Sequence, residues 1–429
     1  MFLIYSAILA VALLLSSPFW LVQMIRLGKY RAGLRERLGF VPRRVQRSSS
    51  GPVVWVHAVS VGEVLAIGTL VQELRAHITA SRVVVSTTTH TGQKLARERF
   101  GEEDVFYFPL DLPFCIAPYI RKLRPSLVVL AETEFWPNFI RMASESGARL
   151  AVVNARISDR SYPRYKRFRG LLARVLRCVD LFLAQSEVDA QRLREIGAPS
   201  ERVRVSGNLK FDVAPPKEVA LVEELRAEIA ASGAGPVIVA GSTVEDEEEM
   251  VLTAFRVLLQ SYPRAVLLLA PRHKERFEDV ARLLSASELP WRRRTLFETG
   301  EHALGGAVLL LDSIGELASI YALGDVAFVG GSLVARGGHN ILEPAHYGVP
   351  ILIGPNTENF RDIVGLFAQA NARIVVLPET LGEIMLALLA REDERKALGE
   401  RGRQVLVTQR GATARTIESL QGLLTEPRQ

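Results

Sequence analysis

The sequence predicts an α/β protein in which an apolar N-terminal helix precedes two doubly wound domains with a cleft between them. Three observations support this prediction. An uncharged run opens the chain, short apolar runs then alternate with longer amphipathic stretches, and a proline-containing segment divides the alternation into two series. Such alternation is typical of parallel sheets with helices on both faces. A chain of 429 residues is long enough for two domains of this kind.

The opening run, residues 2–25, contains 24 residues without a charged side chain. As a helix it would be about 36 Å long, which is enough to cross the hydrocarbon core of a bilayer. A cleaved signal peptide has basic residues before its apolar run, whereas here eight Lys and Arg residues follow it, between positions 26 and 47. The pattern therefore indicates membrane attachment.

We predict a membrane anchor at 1–25 and a basic juxtamembrane segment at 26–50. Because basic flanks stay on the cytoplasmic side, the bulk of the protein should lie there too. A membrane-spanning helix is favoured. Pro18 and the serine pair before it leave a shallower, interfacial anchor open as the alternative.

Composition restricts the possible partners and cofactors. The net charge of +6 is spread along the chain, which favours anionic membranes and anionic small molecules over nucleic acid. Cys115 and Cys178 are far apart, so neither a disulfide framework nor a zinc site is indicated. The sequence has no GxxxxGK[ST] string, no early GxGxxG, no D-x-D and no HExxH. We therefore expect neither a cofactor nor a metal ion.

The first series predicts an N-terminal domain at 51–211. Its expected strands are 53–58, 82–87, 104–108, 126–131, 149–154, 180–184 and 203–206. Its expected helices include 63–78, 90–100, 113–123, 136–147 and 187–197.

Two prolines in "KFDVAPPKEV" then predict a linker at 212–219, and the second series predicts a C-terminal domain at 220–429 that ends in helices. The expected strands of this domain are 236–240, 265–270, 307–311, 325–329, 350–353 and 373–376. Its expected helices include 245–260, 274–286, 340–347 and 360–370.

The string "HAVSVGEV" places Glu63 just after the first strand of the N-terminal domain, at the start of a helix. An acidic side chain there is mildly stabilising through the helix dipole, which would be a purely structural role. The carboxyl ends of strands are also where α/β sheets bind ligands, so Glu63 is a candidate base. Further polar residues follow the later strands of this domain: Glu132, Glu134, Arg156, Asn208 and Lys210. Such a mixture of carboxylates and cations suits a hydroxyl-rich acceptor with negative groups.

The C-terminal domain has three strand ends that could hold an anion or a nucleotide. They lie in "VIVAGST", "LLLAPRH" and "AFVGGSLVARGGHNILEPAHYG". Free backbone N–H groups at such glycine turns can bind phosphate, and a carboxylate can accept a ribose hydroxyl. Each string could equally be an ordinary turn or helix cap. The candidate residues are Gly241, Ser242, Thr243, Arg272, Gly330, Gly331, Gly338, His339, Asn340 and Glu343.

Taken together, the strings "HAVSVGE", "TTTHTG", "AETEFWPN", "NARIS", "GNLKFD", "GST", "APRH" and "GGHNILEPA" resemble those of the 3-deoxy-D-manno-octulosonic acid (Kdo) transferases. The resemblance covers nearly the whole chain. It implies a GT-B glycosyltransferase with two Rossmann-like domains. It also implies CMP-Kdo as donor, a tetraacylated lipid A precursor as acceptor, inversion at the sugar, and the cytoplasmic face of the inner membrane.

The resemblance also implies residue roles. It makes Glu63 the catalytic base, places Glu132 and Lys210 on the acceptor side, and assigns Arg272 with the GST and GGHNxxE segments to CMP. Besides these substrates we expect the anionic membrane as a partner, and neither nucleic acid nor an obligate protein partner. Two alternatives remain open: a nucleotide-sugar 2-epimerase and a non-catalytic, membrane-tethered nucleotide-sugar sensor.

Overall fold

The computed structural model describes residues 1–27, 31–46, 51–78, 82–214, 220–297 and 304–425. The chain divides into two compact units. The first domain is Met1–Val213 together with Gln409–Gln429, and the second domain is Ala214–Thr408.

The first domain is built on a seven-stranded sheet in the order β3-β2-β1-β4-β5-β6-β7, in which every neighbouring pair is parallel. The runs predicted as strands form this sheet because their side chains are buried on both faces, as parallel sheets require. The strands are β1 (Val53–His57), β2 (Arg82–Thr87), β3 (Val105–Tyr107), β4 (Leu127–Ala131), β5 (Arg149–Ala155), β6 (Leu181–Ala184) and β7 (Val203–Val205).

The described helices of the first domain include one that is long and apolar enough to cross a membrane, Phe2–Arg26 with a mean hydropathy of 2.1. The region predicted as one helix at 63–78 is two helices that meet at Ile67. The helices are α1 (Phe2–Leu27), α2 (Leu34–Arg37), α3 (Val61–Ala66), α4 (Gly68–His77), α5 (His90–Phe100), α6 (Pro113–Leu123), α7 (Pro137–Glu145), α8 (Tyr162–Arg167), α9 (Arg169–Leu176) and α10 (Glu187–Glu195).

The second domain has a seven-stranded parallel sheet of its own, in the order β10-β11-β9-β8-β12-β13-β14. The short edge strand β10 was not predicted, because its three residues are only half-buried and two of them are arginines. The strands are β8 (Val237–Thr243), β9 (Val266–Pro271), β10 (Trp291–Arg293), β11 (Val308–Leu310), β12 (Val326–Val329), β13 (Ile351–Ile353) and β14 (Ile374–Val375).

The described helices of the second domain pack around this sheet. They are α11 (Ala220–Ser232), α12 (Glu247–Ser261), α13 (Phe277–Ala286), α14 (Leu317–Ile320), α15 (Leu342–His346), α16 (Arg361–Gln369), α17 (Leu381–Ala390) and α18 (Glu392–Gln409). The helix expected at 340–347 is therefore only five residues long. Of the linker expected at 212–219, residues 215–219 lie outside the described residues, as do 28–30 and 47–50 of the basic segment.

The last helix, α19 (Ala412–Thr425), packs on the first domain, whereas the sequence was interpreted as a C-terminal domain running to residue 429. Its apolar face, including Ile417 and Leu420, joins the core cluster beneath β1, β4 and β5. The Asp212 carboxylate accepts hydrogen bonds from the Gly411 and Thr413 amides at 2.7 and 2.5 Å. This carboxylate satisfies donors that every helix N-terminus leaves open, and so fixes the helix on the first domain.

Candidate active site

Glu63 lies in the first turn of α3, next to the carboxyl end of β1, and is 8% exposed. Its carboxylate accepts hydrogen bonds from the Val59 amide at 2.7 Å and from the Ser60 hydroxyl at 2.8 Å. The Ser60 hydroxyl in turn accepts from the Glu63 amide at 3.4 Å. This reciprocal arrangement is a variant of the capping box, so the structural role considered for Glu63 is real. The same bonds hold the carboxylate in a fixed orientation.

Two more carboxylates follow β4: Glu132, whose charge acts on Glu63, and Glu134, on which the charge of Glu63 acts. Burial, and then the negative charge of Glu132, raises the pKa of Glu63. Burial, and then the charges of Glu63 and Glu132, raises the pKa of Glu134 to about 7. Lys210 partly offsets the negative charge, because its Nζ lies 3.6 Å from Oε1 of Glu132. The structure thus brings the predicted base, Glu63, together with three of the residues predicted for the acceptor side: Glu132, Glu134 and Lys210.

The ends of β4 and β5 have left-handed backbones at non-glycine residues. Glu132 has φ of 57° and Asn154 has φ of 53°. Such conformations cost free energy and are enriched at functional sites. The Asn154 side chain is buried, and its carbonyl oxygen accepts a hydrogen bond from the Leu209 amide at 3.0 Å. This bond holds the turn that carries Lys210 against the end of β5.

Asn208 was predicted on the acceptor side, and its amide group is engaged within the protein. Its Nδ2 donates to the Gln185 side chain at 2.9 Å, and its Oδ1 accepts from the Lys210 amide at 3.0 Å. Asn208 therefore shapes the turn beneath Lys210. Arg156 is half-buried after β5, and its carbonyl oxygen accepts from the Thr133 hydroxyl at 3.1 Å, which ties it to the loop between Glu132 and Glu134.

His57 ends β1 and was not among the predicted site residues. It is fully buried, its Nδ1 lies 3.0 Å from the Ser86 hydroxyl, and its ring stacks on Phe108 at 3.9 Å. Burial lowers its pKa to about 3, so the imidazole is neutral near pH 7. Its Nε2 has no hydrogen-bond partner among the residues that the structure describes. The signal that could have identified it is its place in the string "HAVSVGE", at the strand end just before Ser60.

In the second domain, Arg272, His339 and Glu343 lie within electrostatic range of one another. Burial, and then the positive charge of Arg272, lowers the pKa of His339 to about 4, so this imidazole is also neutral. Burial raises the pKa of Glu343, while a hydrogen bond from Asn340 at 3.0 Å and the charge of Arg272 oppose that rise. Arg272 is exposed directly after β9. The structure therefore unites four residues predicted for the nucleotide.

The glycine turn after β12 differs from the expectation, because its amides are already occupied. The Gly330 amide donates to the Gly241 carbonyl at 2.9 Å, and the Gly338 amide donates to the Gly331 carbonyl at 2.7 Å. Glu247 is fully buried, and its carboxylate accepts hydrogen bonds from four further backbone amides. Its partners are the N–H groups of Val244, Gly331, Ser332 and Leu333, at 3.1, 2.6, 2.9 and 2.8 Å. A carboxylate of the protein itself thus takes the place expected for a phosphate.

Glycine is nonetheless required at this turn by close packing. A Cβ on Gly330 would lie 2.7 Å from the Glu247 carboxylate, and one on Gly331, where φ is 68°, would lie 2.6 Å from the His339 ring. The turn therefore determines where His339 lies. Sequence reasoning missed Glu247 because "VEDEEE" has the pattern of a solvated acidic helix start.

The GST segment at the end of β8 is partly structural. A Cβ on Gly241 would clash with the Tyr321 hydroxyl, and the buried Thr243 hydroxyl donates to Glu248 at 3.1 Å. Ser242 has a left-handed backbone, with φ of 57°, and is half-buried. Of the three residues, Ser242 is thus the one whose side chain remains partly accessible.

Comparison with known proteins identifies the family. A family model described as 3-deoxy-D-manno-octulosonic-acid transferase (kdotransferase) matches residues 32–213. A 3-deoxy-D-manno-octulosonic acid transferase of Haemophilus influenzae is 34% identical over 424 residues, which cover 98% of each chain. The transferase of Bordetella pertussis is 35% identical over 410 residues, 92% of this chain and 93% of the other. The chain belongs to the Kdo transferase family.

As a Kdo transferase, the protein is a glycosyltransferase of lipopolysaccharide synthesis. Its fold resembles that of UDP-GlcNAc 2-epimerase from Neisseria meningitidis, with a TM-score of 0.58, 14% identity, and coverage of 86% of this chain and 100% of that one. At this identity the likeness concerns the fold alone. The predicted fold class is confirmed: two parallel-sheet α/β domains of the GT-B type follow an apolar helix. The cleft between the domains stays a prediction.

Proposed function

We propose that this Kdo transferase moves Kdo from CMP-Kdo to a tetraacylated lipid A precursor, lipid IVA. The proposed reaction inverts the anomeric carbon, needs no metal ion, and uses Glu63 as general base at the cytoplasmic face of the inner membrane. The observation that supports the base assignment is the oriented, nearly buried Glu63 carboxylate among other carboxylates at the strand ends. Family membership supports the sugar and the lipid acceptor.

The acceptor is a sugar hydroxyl, which is a poor nucleophile near pH 7 unless a base removes its proton during attack. A positioned base typically accelerates such a step about 10²–10⁴-fold. As the acceptor oxygen bonds to the anomeric carbon of Kdo, its proton passes to Glu63. The raised pKa of Glu63 makes its ionised form a stronger base than an ordinary carboxylate.

The bond between the anomeric carbon and the CMP phosphate breaks as the new bond forms, and its electron pair leaves with CMP. The exposed guanidinium of Arg272 stabilises the charge that develops on the phosphate. Because His339 is neutral, it serves as a hydrogen-bond partner and adds no positive charge. Glu343 accepts a ribose hydroxyl. One leaving phosphate beside an arginine requires less neutralisation than a diphosphate, which supports a metal-free step.

The test measures transfer of labelled Kdo from CMP-Kdo to lipid IVA by wild type and by Glu63→Gln. The glutamine keeps one oxygen acceptor for the helix cap and cannot take a proton at neutral pH. We expect at least a hundredfold slower transfer with unchanged CMP affinity. Glu98→Gln, the same change at an exposed glutamate of α5, is the matched control and should keep the transfer rate.

The alternatives predict other outcomes. Conversion of the donor sugar without any lipid acceptor would indicate a 2-epimerase. CMP binding without turnover would indicate a sensor. Equal transfer by wild type and Glu63→Gln would keep the transferase and reject Glu63 as its base. The relatives that match over nearly the full chain are transferases, whereas the likeness to an epimerase is one of fold.

A further inference from the structure

Helix α1 has two faces that differ in exposure along its whole length. Its outer face is apolar and exposed, with Leu3 at 86%, Leu15 at 76% and Ile25 at 71%. The opposite, inner face is half-buried from the first turn to the last. Its members are Phe2, Tyr5, Ser6, Leu9, Leu13, Ser16, Ser17, Trp20, Gln23 and Met24. They recur every three or four residues, which is the spacing of one helix face. The uncharged polar side chains of α1 are thus all on its inner face.

The first turn of α1 is bound to the first domain. Ser6 and the buried Asn138 side chain at the start of α7 are hydrogen-bonded, with Ser6 Oγ 3.0 Å from Asn138 Nδ2. The Tyr5 hydroxyl bonds to the Asp111 carboxylate, which also accepts the Asn138 amide at 3.1 Å. The Phe2 ring lies 5.0 Å from the Arg141 guanidinium. These contacts hold the N-terminal end of α1 against the same domain that contains Glu63.

The segment that follows α1 in the chain is tied to that domain as well. Residues 33–37 pack on it: the Leu110 amide donates to the Arg37 carbonyl at 2.8 Å, and the Tyr107 amide donates to Glu36 at 2.7 Å. Seven Cα–Cα steps join Leu27 to Leu34, which reach about 25 Å at full extension. From its first turn to Leu27 the helix is about 35 Å long. If the helix stood upright on the domain from its first turn, Leu27 would be about 35 Å from the surface, and the connection to Leu34 would be too short to reach the domain again.

We propose that α1 lies in the plane of the membrane, with its inner face on the first domain and its outer face among lipid acyl chains, instead of crossing the bilayer. The sequence favoured a spanning helix because its 24 uncharged residues are long enough to cross a bilayer. Interfacial helices usually have a charged face, which α1 lacks. Here the polar side chains of the first turn bond to protein, Tyr5 to Asp111 and Ser6 to Asn138, so that part of the inner face needs no charged residues.

A neighbouring surface supports this orientation. Segment 159–177 has seven Lys and Arg residues against one acid, and its Phe168 and Leu171 side chains are 53% and 52% exposed. Within it, the Tyr165 ring lies 6.1 Å from Phe135, just before α7, and α9 packs on α7. Because α1 contacts α7 as well, the lipid-facing helix and this basic surface lie around one element. Cations beside exposed apolar side chains match the anionic headgroups of a membrane surface.

This arrangement has a consequence for the acceptor. Asn138, to which Ser6 of α1 is hydrogen-bonded, is four residues after Glu134. The membrane-embedded helix therefore adjoins the loop that carries the site carboxylates. A lipid acceptor could then present its sugar to Glu63 while its acyl chains stay in the bilayer. The inference rests on the membrane association in the proposed function, but not on the transfer reaction.

The test uses the full chain in vesicles of phosphatidylethanolamine and phosphatidylglycerol. A fluorophore is attached to Leu3→Cys, Val11→Cys or Ile25→Cys in a Cys178→Ser background, and is quenched by lipids with nitroxides at shallow or deep acyl positions. These three positions belong to the exposed outer face. A helix in the membrane plane should give the same ratio of shallow to deep quenching at all three, within about twofold. A spanning helix should give deep quenching at Val11 and shallow quenching at both ends, which would overturn the proposal.

Two further measurements distinguish a wrong helix orientation from a lack of membrane binding and from a wrong reaction. Partitioning onto these vesicles should fall at least tenfold at low salt when Arg164, Arg167 and Arg169 are changed to Gln. The ratio of shallow to deep quenching should stay unchanged. Arg282→Gln, an exposed arginine of the second domain, is the control. Absence of vesicle binding by wild type would refute both this inference and the membrane association. Transfer to a detergent-solubilised acceptor would then show independently whether the proposed reaction stands.

Discussion

The Nζ atom of Lys210 lies 3.6 Å from Oε1 of Glu132, and both side chains are about a quarter exposed. This ion pair connects the turn after β7 with the end of β4. Its own stabilisation is small, on the order of 1 kcal/mol for a partly exposed pair. Its importance is electrostatic, because the charge of Glu132 raises the pKa of Glu63.

Lys210→Met should therefore shift the acid limb of the transfer rate to higher pH. Without the cation, Glu132 acts on Glu63 with its full negative charge, so Glu63 ionises less readily. CMP affinity should stay unchanged, because the residues assigned to CMP lie in the second domain. The pH profile of kcat/KM is the measurement. Lys94→Met, which removes an exposed lysine paired with Glu98, is the control. An unshifted profile would show that Lys210 does not act through Glu63.

Glu134→Gln should make stability less dependent on pH. The pKa of Glu134 is raised from 4.5 to about 7, so the folded protein holds this proton more tightly than the unfolded chain. The stabilisation is complete below pH 4.5 and is lost as pH rises through 7. A shift of this size corresponds to at most about 3 kcal/mol, less after solvent screening.

Denaturant unfolding across the pH range from 4.5 to above 7 checks this prediction. Wild type should lose more stability than Glu134→Gln over that range, and Glu98→Gln, a change at an exposed glutamate of α5, should behave as wild type. Parallel curves for wild type and Glu134→Gln would contradict it.

Glu247→Gln should weaken the second domain and CMP binding together. The carboxylate accepts four backbone N–H groups, and an amide side chain would point its own hydrogens at some of them. Each donor left without an acceptor costs about 1–3 kcal/mol. Since the turn positions His339, CMP affinity should fall about tenfold, measured by calorimetry. Glu249→Gln, on the exposed side of the same helix, should change neither. Unchanged CMP affinity in Glu247→Gln would separate the turn from the nucleotide.

Asp212→Ala should loosen α19 without affecting the second domain. The substitution removes both acceptors that cap the Gly411 and Thr413 amides, at a cost of about 1 kcal/mol. Hydrogen exchange of the α19 amides should become several-fold faster, while exchange in β8 and β9 stays the same. Glu418→Gln, an exposed change on the same helix, is the control. Faster exchange throughout the chain would mean that Asp212 has a wider role.

Much of the fold follows from local patterns. Uninterrupted apolar runs such as Val53–His57 and Leu127–Ala131 form strands because only a parallel sheet buries both faces. Glu63, Glu132 and Lys210 meet because strand ends in such a sheet share one edge. The helices α8 and α9 were not predicted, because exposed cations interrupt their apolar spacing.

The glycine turn after β12 shows why the contacts within the site were less predictable than the strands. The glycines after β12 were correctly placed at a strand end, but their amides donate to Gly241 and Glu247 within the protein. A sequence shows which backbone groups lack a helix or strand partner. It does not show which distant side chain will satisfy them, since that depends on contacts between residues some 84 positions apart.

The sequence by itself determined the apolar opening helix, the two series of strands, and the strings that resemble the Kdo transferases. Each depends on neighbouring residues and their spacing. The tertiary structure alone decided that α19 packs on the first domain, that Glu247 fills the glycine turn, and that the first turn of α1 and segment 33–37 both bind to one domain. Spacing specifies that a face must be buried, but the partner is chosen by packing and hydrogen bonding between segments far apart in the chain.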